Sequence, residues 1–230
     1  MSKVLITSGP TREYLDPVRY LTNASSGRMG AALAQACLDA GYEVAVVSGP
    51  VEVEYPRDAE VVFVTSTQEM HVATMQLFPK CVGAIGAAAP CDYKPVVVHQ
   101  EKMSKENFTR APSSKGELSL ALCETPDIMA ALGEMKREKD DPKGWQWLVA
   151  FALETSDHHI KALQKLQRKH CDLIVVNGPS SINGVDTNVE ILNPRGDCLA
   201  QVYGKKIDVA RKLVATIREF VRSREGKDCD

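Results

Sequence analysis

The chain has 230 residues, 44% of them hydrophobic and 25% charged, with a formal net charge of -2. That is ordinary globular composition, long enough for one domain with a real core, and it excludes a strongly basic surface for nucleic acid or membranes. The apolar run at residues 4–7 is too short for a signal peptide, and no stretch approaches the roughly 20 apolar residues of a membrane helix, so a cytoplasmic protein is expected.

In chain order, short apolar runs alternate with helical stretches. Residues 4–7 read as a strand. Residues 29–40 read as an Ala-rich helix closed by Gly41, and residues 44–47 and 60–64 as strands. A helix over 67–78 has Thr65 or Ser66 near its N-cap, and a buried strand over 82–88 ends in small residues. Residues 89–120 interrupt the rhythm; so long a loop in a compact domain is expected to be a mobile active-site loop. A helix over 130–138 is entered through Thr125-Pro126-Asp127, with a cap residue followed by Pro at the first position. Strands at 148–151 and 173–176 bracket a helix over about 157–169. Residues 187–203 read as a hairpin turning at Asn193-Pro194-Arg195-Gly196-Asp197, suited to a sheet edge or a dimer contact. An amphipathic helix over 206–223 precedes a frayed tail at 226–230. Continuous apolar strands separated by helices predict one α/β domain over residues 1–225, with a doubly wound, mostly parallel, Rossmann-like sheet covered on both faces and a late β-hairpin.

Seven scattered cysteines, none in a CxxC pair, suggest neither a zinc site nor a disulfide framework, and most read as reduced core residues. Cys91 stands out because it falls in the expected site loop. His158 and His159 are adjacent and point apart on a helix, while His71, His99 and His170 have no partner at ligand spacing. No metal held by protein side chains is expected. No GxSxG or comparable nucleophile motif occurs.

Open α/β sheets bind ligands at the carboxyl ends of strands, beside helix N-termini. Here the first strand ends at Ser8-Gly9-Pro10 and the first helix starts at Ser25-Ser26-Gly27-Arg28-Met29-Gly30. Ser25 or Ser26 can cap that helix, and Gly27 and Gly30 allow a phosphate or the neighbouring strand to approach. The dinucleotide fingerprint needs strand, turn and helix in immediate succession. An insertion at 11–24, carrying Arg12, Glu13, Asp16, Arg19 and Asn23, argues against it, and no Walker lysine follows the glycines. A phosphate-contacting helix start and a purely packing role both remain open.

The run from Ile6-Thr7-Ser8-Gly9-Pro10-Thr11-Arg12-Glu13 through Asp16-Pro17-Val18-Arg19-Tyr20 to Asn23-Ala24-Ser25-Ser26-Gly27-Arg28-Met29-Gly30 resembles the opening of the phosphopantothenate–cysteine ligases. Ala88-Ala89-Pro90-Cys91-Asp92, Glu101-Lys102-Met103-Ser104-Lys105, Thr125-Pro126-Asp127-Ile128, Val149-Ala150-Phe151-Ala152-Leu153-Glu154-Thr155 and Asp172-Leu173-Ile174-Val175-Val176-Asn177 resemble further segments of that family, in order. In bacteria this ligase is the second half of a bifunctional protein whose first half is a flavin decarboxylase. With residue 1 directly before the ligase's first strand, a stand-alone ligase without flavin is expected.

The resemblance implies a reaction of coenzyme A synthesis: the 4'-phosphopantothenate carboxylate attacks the α-phosphate of CTP (ATP in some members), and the cysteine amine displaces CMP from the acyl-cytidylate. It implies Mg²⁺ with the triphosphate, L-cysteine as co-substrate, and a homodimer involving the late hairpin or the long loop. By the same resemblance Asn23 is the catalytic asparagine, Arg19 a phosphate or carboxylate clamp or else a surface ion pair, and Lys102 the first lysine of a closing loop. Ser104 departs from that loop's lysine pattern, with Lys105 retained. Gly86, Ala87, Ala88, Asp92, Pro126, Asp127, Ile128, Met129 and Phe151 would surround base and ribose, with Lys165 and Lys169 at the phosphates. The rivals are a flavin- or nicotinamide-dependent reductase and a non-catalytic nucleotide-binding module on the same sheet.

Overall fold

The structure, a computed structural model, describes residues 2–104, 119–138, 141, 144–153, 158–177 and 186–225. In chain order the elements are β1 (Lys3–Ser8), β2 (Arg12–Tyr14), β3 (Tyr20–Thr22), α1 (Arg28–Asp39), β4 (Glu43–Ser48), β5 (Glu60–Phe63), α2 (Thr67–Leu77), β6 (Gly83–Gly86), β7 (Tyr93–Pro95), β8 (Leu122–Glu124), α3 (Ile128–Met135), β9 (Trp147–Leu153), α4 (His158–Arg168), β10 (Leu173–Asn177), β11 (Asp186–Leu192), β12 (Cys198–Lys205) and α5 (Lys206–Glu225). The main sheet among the described residues has the order β12-β11-β10-β9-β6-β1-β4-β5. The strands from β10 to β5 in that order are parallel, and β11 and β12 add the expected hairpin as an antiparallel edge.

The apolar strand runs are continuous because both faces are covered. Val4 and Ile6 pack with Val46, Val149 and Val175 under α1 and α5. Leu5, one residue out of phase, packs with Ala45, Leu148 and Ile174 under α2, α3 and α4. At α2, Ser66 caps the helix by accepting from the Glu69 N–H while the Glu69 carboxylate accepts from the Ser66 N–H, a reciprocal capping box. All six described cysteines are free.

Four local features differ from expectation. The 11–24 insertion contains a short antiparallel pair, β2 with β3, and the long loop is crossed by another, β7 with β8. Within that loop, residues 105–118, including Lys105, lie outside the described residues, and the expected mobility with them. Helix α1 is capped by neither serine: Gly27 holds the N-cap position at φ 73, and a Cβ there would lie 2.8 Å from Val51 Cγ1. That close left-handed approach requires glycine. Helix α3 starts at Ile128 rather than two residues later, because the Asp127 carboxylate accepts from the Ala130 N–H at 3.2 Å. A carboxylate also suits the positive end of the helix, so it displaces Thr125 as cap and leaves Pro126 before the helix.

Candidate active site

After β1 the chain crosses to β4 and β5 on one side and returns to β6 on the other. The carboxyl ends of β1 and β6 are therefore the switch point at which open α/β sheets leave a crevice. Beyond the strands the two segments stay tied: the Ala87 N–H donates to the Thr7 carbonyl (3.1 Å) and the Ala89 N–H to the Gly9 carbonyl (2.9 Å). Two clefts open here, of about 470 and 450 Å³, sharing Ala88, Asp92, Phe151 and Lys165 as a common wall.

The first cleft gathers Gly86, Ala88, Asp92, Pro126, Asp127, Ile128, Met129, Phe151, Lys165 and Lys169, nearly the whole set expected around a nucleotide. Ala87 faces the second cleft instead. A Cβ on Gly86 would lie 2.4 Å from Met129 Sδ, so the missing side chain is what lets α3 close over the strand end. Burial alone would raise the Asp127 pKa. The Lys169 ammonium at 2.9 Å, the Ala130 N–H and Arg168 reverse this and hold the carboxyl below its ordinary range. Lys169 is thus tied to the α3 cap, and Lys165 is the lysine lining both clefts. Arg168 also lines the first cleft and was not singled out from sequence. Its i, i+3 spacing from Lys165 is the signal that could have found it.

The second cleft is lined by Asn23, Ser25, Ser26, Gly27, Gly30 and Ala87. Gly30 faces Ser8, whose Oγ would sit 2.0 Å from an added Cβ, so this glycine lets helix and strand meet. The Ser8 hydroxyl donates to the Gly27 carbonyl at 3.3 Å and accepts from Tyr55 at 2.8 Å, which fixes the helix start. Asn23 is not a helix cap. Its amide nitrogen donates to the Pro90 carbonyl (2.9 Å) and reaches the Ala89 carbonyl at 3.4 Å, which turns the amide oxygen away from that loop. Asn177, Arg28 and Lys206 line this cleft as well, and sequence reasoning gave none of them a role there.

Arg19 and Lys102 lie outside both clefts, in a separate strap. The buried Asp16 carboxylate accepts from the N–H groups of Val18 and Arg19 (both 2.7 Å) through Oδ1 and from the Met103 N–H (3.0 Å) through Oδ2. Arg19 Nη1 donates to the Met103 carbonyl at 2.9 Å and lies 3.5 Å from Asp16 Oδ2. Burial would raise the Asp16 pKa, but these N–H donors and the Arg19 charge hold it below the ordinary carboxylate range. Arg19 is held by this ion pair and fixes Met103, and so the exposed Lys102 beside it.

Cys91 is a buried pin. Its N–H donates to Thr11 Oγ1 (2.8 Å), its carbonyl accepts from Thr125 Oγ1 (2.5 Å), and burial pushes its thiol pKa up, away from thiolate chemistry. Among the described residues no three His, Cys, Asp or Glu side chains cluster as metal ligands, and no helix is long and apolar enough to cross a membrane.

Residues 1–221 match the family described as DNA/pantothenate metabolism flavoprotein C-terminal domain. The chain belongs to that family. The coenzyme A biosynthesis bifunctional protein CoaBC of Bacillus subtilis is 40% identical over 81% of this chain and 43% of its own length. A protein of an unknown prokaryotic organism named cysteine/cysteine sulfinic acid decarboxylase is 41% identical over 95% of this chain and 58% of its own length. The chain thus spans about half the length of the curated relatives it matches. A solved structure of the C-terminal domain of a CoaBC protein matches at 32% identity and TM-score 0.77, with 96% of each chain covered. This likeness to a C-terminal domain accounts for the half-length match.

Proposed function

We propose that this protein joins 4'-phosphopantothenate to L-cysteine through an acyl-nucleotide, using CTP and releasing pyrophosphate and CMP, in the cytoplasm and as a homodimer. The observation that carries the proposal is the pair of abutting clefts at the switch point. One is lined by the residues expected around a base and ribose, the other opens on a helix start and on Asn23, and Ala88 and Asp92 stand between them. The likeness to coenzyme A biosynthesis proteins supports this reading, the sequence resemblance suggests the substrates, and the dinucleotide alternatives are disfavoured by the hairpin inserted before α1.

In this reading the backbone at Ala87 and Ala88 and the start of α3 hold the nucleoside, and Lys165 meets the phosphates. Two anions must approach each other when a carboxylate attacks a phosphate, so cations and N–H groups here lower the barrier by offsetting repulsion. Asp92 and the buried Asn177 Oδ1, which has no hydrogen-bond partner among the described residues, are hard oxygen donors that suit Mg²⁺ arriving with the triphosphate. Bound there, Mg²⁺ would supply charge neutralisation between phosphates. Asn23 positions the acyl-nucleotide carbonyl for the amine. No step uses a flavin.

The long loop offers a surface for the second protomer: Val96, Val97 and Val98 stand exposed beyond β7. Light scattering at micromolar concentration should give a dimer, and a monomer would contradict that part. The mechanism is tested with Asn23→Asp supplied with CTP and 4'-phosphopantothenate. The variant should release pyrophosphate and accumulate acyl-cytidylate by mass spectrometry, then stall on addition of cysteine; unchanged amide formation would remove Asn23 from the mechanism.

A further inference from the structure

We propose that Arg28 and Lys206 form a cradle for the terminal phosphates of the nucleotide and for the pyrophosphate they become, an inference that rests on the nucleotide-dependent ligation proposed above. These residues are 178 positions apart (206 minus 28), yet each opens a helix, α1 and α5, and those helices pack together over one face of the sheet. Both side chains thereby reach the far wall of the second cleft, beside Ser25, Ser26 and Gly27.

Three observations favour an anion between them. First, a cation at a helix start opposes the helix dipole, where carboxylates are the favourable choice. Helix α1 has no acidic residue in its first turn, and in α5 Asp208 lies 4.0 Å from Arg211. Helix α1 thus presents a cation where its dipole favours an anion, while α5 keeps the acidic Asp208 in its first turn. Second, Lys206 is half-buried, and its burial and then the neighbouring Arg28 charge push its pKa down, so two like charges are held close together. The acid among the lining residues is Asp92, on the wall shared with the first cleft. Third, Asn177, at the end of β10, lines the same cleft with its side-chain amide. An amide can turn its NH₂ toward a phosphate oxygen.

With the base near Ile128 and Met129, a triphosphate passing Ala88 points along the second cleft to this pair. When the substrate carboxylate forms its bond to the α-phosphorus, the bond from that phosphorus to the bridging oxygen breaks. Its electron pair leaves on the pyrophosphate, and the cradle stabilises the charge that develops there. Helix α5 then contributes directly to the site.

The test is calorimetric titration of the wild-type protein, Lys206→Met and Arg28→Met with inorganic pyrophosphate, CTP and CMP, in Mg²⁺. Each variant should bind pyrophosphate and CTP about tenfold more weakly, the scale of one charge-assisted hydrogen bond, with CMP affinity unchanged. Lys206→Arg should retain pyrophosphate binding, which separates loss of charge from loss of fold. Equal weakening of CMP and pyrophosphate, unchanged pyrophosphate affinity in both Met variants, or no pyrophosphate binding by the wild-type protein would each overturn the cradle. If pyrophosphate binds through these residues but no amide forms with any nucleotide, the cradle stands and the ligation reading falls.

Discussion

The two ends of the parallel sheet carry similar residue types in opposite arrangements. At the amino end Gln146, Arg137 and Asp172 are matched within the protein. Gln146 is buried and donates to the Phe78 (2.9 Å) and Cys81 (2.7 Å) carbonyls, and Arg137 donates to the carbonyls of Gly144 (2.9 Å) and Pro79 (3.0 Å). Asp172 takes Lys136 (3.2 Å), Arg224 (3.2 Å) and the Leu148 N–H (2.9 Å). At the carboxyl end, Lys165, Arg28 and Lys206 line clefts, and a buried amide oxygen of Asn177 has no hydrogen-bond partner among the described residues. Charge density does not separate these ends. What separates them is that the carboxyl-end cations line open clefts, so the amino end should govern stability and the carboxyl end chemistry.

The largest expected effect is at the carboxyl end. Asn23→Asp should lower amide formation by about 100-fold or more, the scale of losing one positioned polar group in a transition state, with no change in thermal midpoint. Steady-state turnover and calorimetry on one preparation check both halves. A large shift in midpoint would blur the division.

Asp172→Ala is the mirror experiment. It leaves the buried Lys136 without its partner and should cost about 3–5 kcal/mol in denaturant unfolding while the folded fraction keeps its turnover. The Asp172 pKa is raised by burial, despite Lys136, the Leu148 N–H and Arg224. The ionised carboxylate is therefore held at a cost, and much of the loss on truncation comes from stranding Lys136.

The Asp16 strap couples the two concerns. Because its folded pKa is depressed, its contribution is complete above the unfolded carboxylate value, about 4, and is lost as pH falls through the lower folded value. Protection of the Met103 amide from hydrogen exchange should therefore persist at pH 5 and disappear in stronger acid. Asp16→Asn should lose it at neutral pH and raise the KM for the nucleotide. Exchange at Met103 that is already fast in the wild type would remove the strap from the account. The smallest effect is expected at Cys91: Cys91→Ala should cost about 1 kcal/mol or so of stability, as loss of a small buried side chain, and retain turnover.

The central strands of the main sheet were legible because they are unbroken apolar runs buried on both faces, as Val4, Leu5 and Ile6 show. Strands β2, β3, β7 and β8 were not: each has three residues of mixed character, and β7 pairs across the whole long loop. The cap of α3 was misread because Thr125-Pro126 is a strong local signal, while Asp127 wins by binding both Ala130 and Lys169. The residues expected on the nucleotide side gather in one cleft because strand end and helix start are local features. The contact of Arg19 with Met103 was not legible, since the two lie 84 residues apart. Lys206 belongs to the site only because α5 packs on α1.

The central claim, that the paired clefts join an acid to an amine at the expense of a nucleotide, is tested most directly by quantifying pyrophosphate, CO₂ and amide together. Wild-type protein would receive 4'-phosphopantothenate, L-cysteine and CTP or ATP in turn. Pyrophosphate and 4'-phosphopantothenoylcysteine should form in equal amounts over many turnovers, with sustained turnover dependent on both carbon substrates, faster with CTP, and without CO₂. Release of CO₂ from cysteine, or nucleotide-independent turnover, would contradict it.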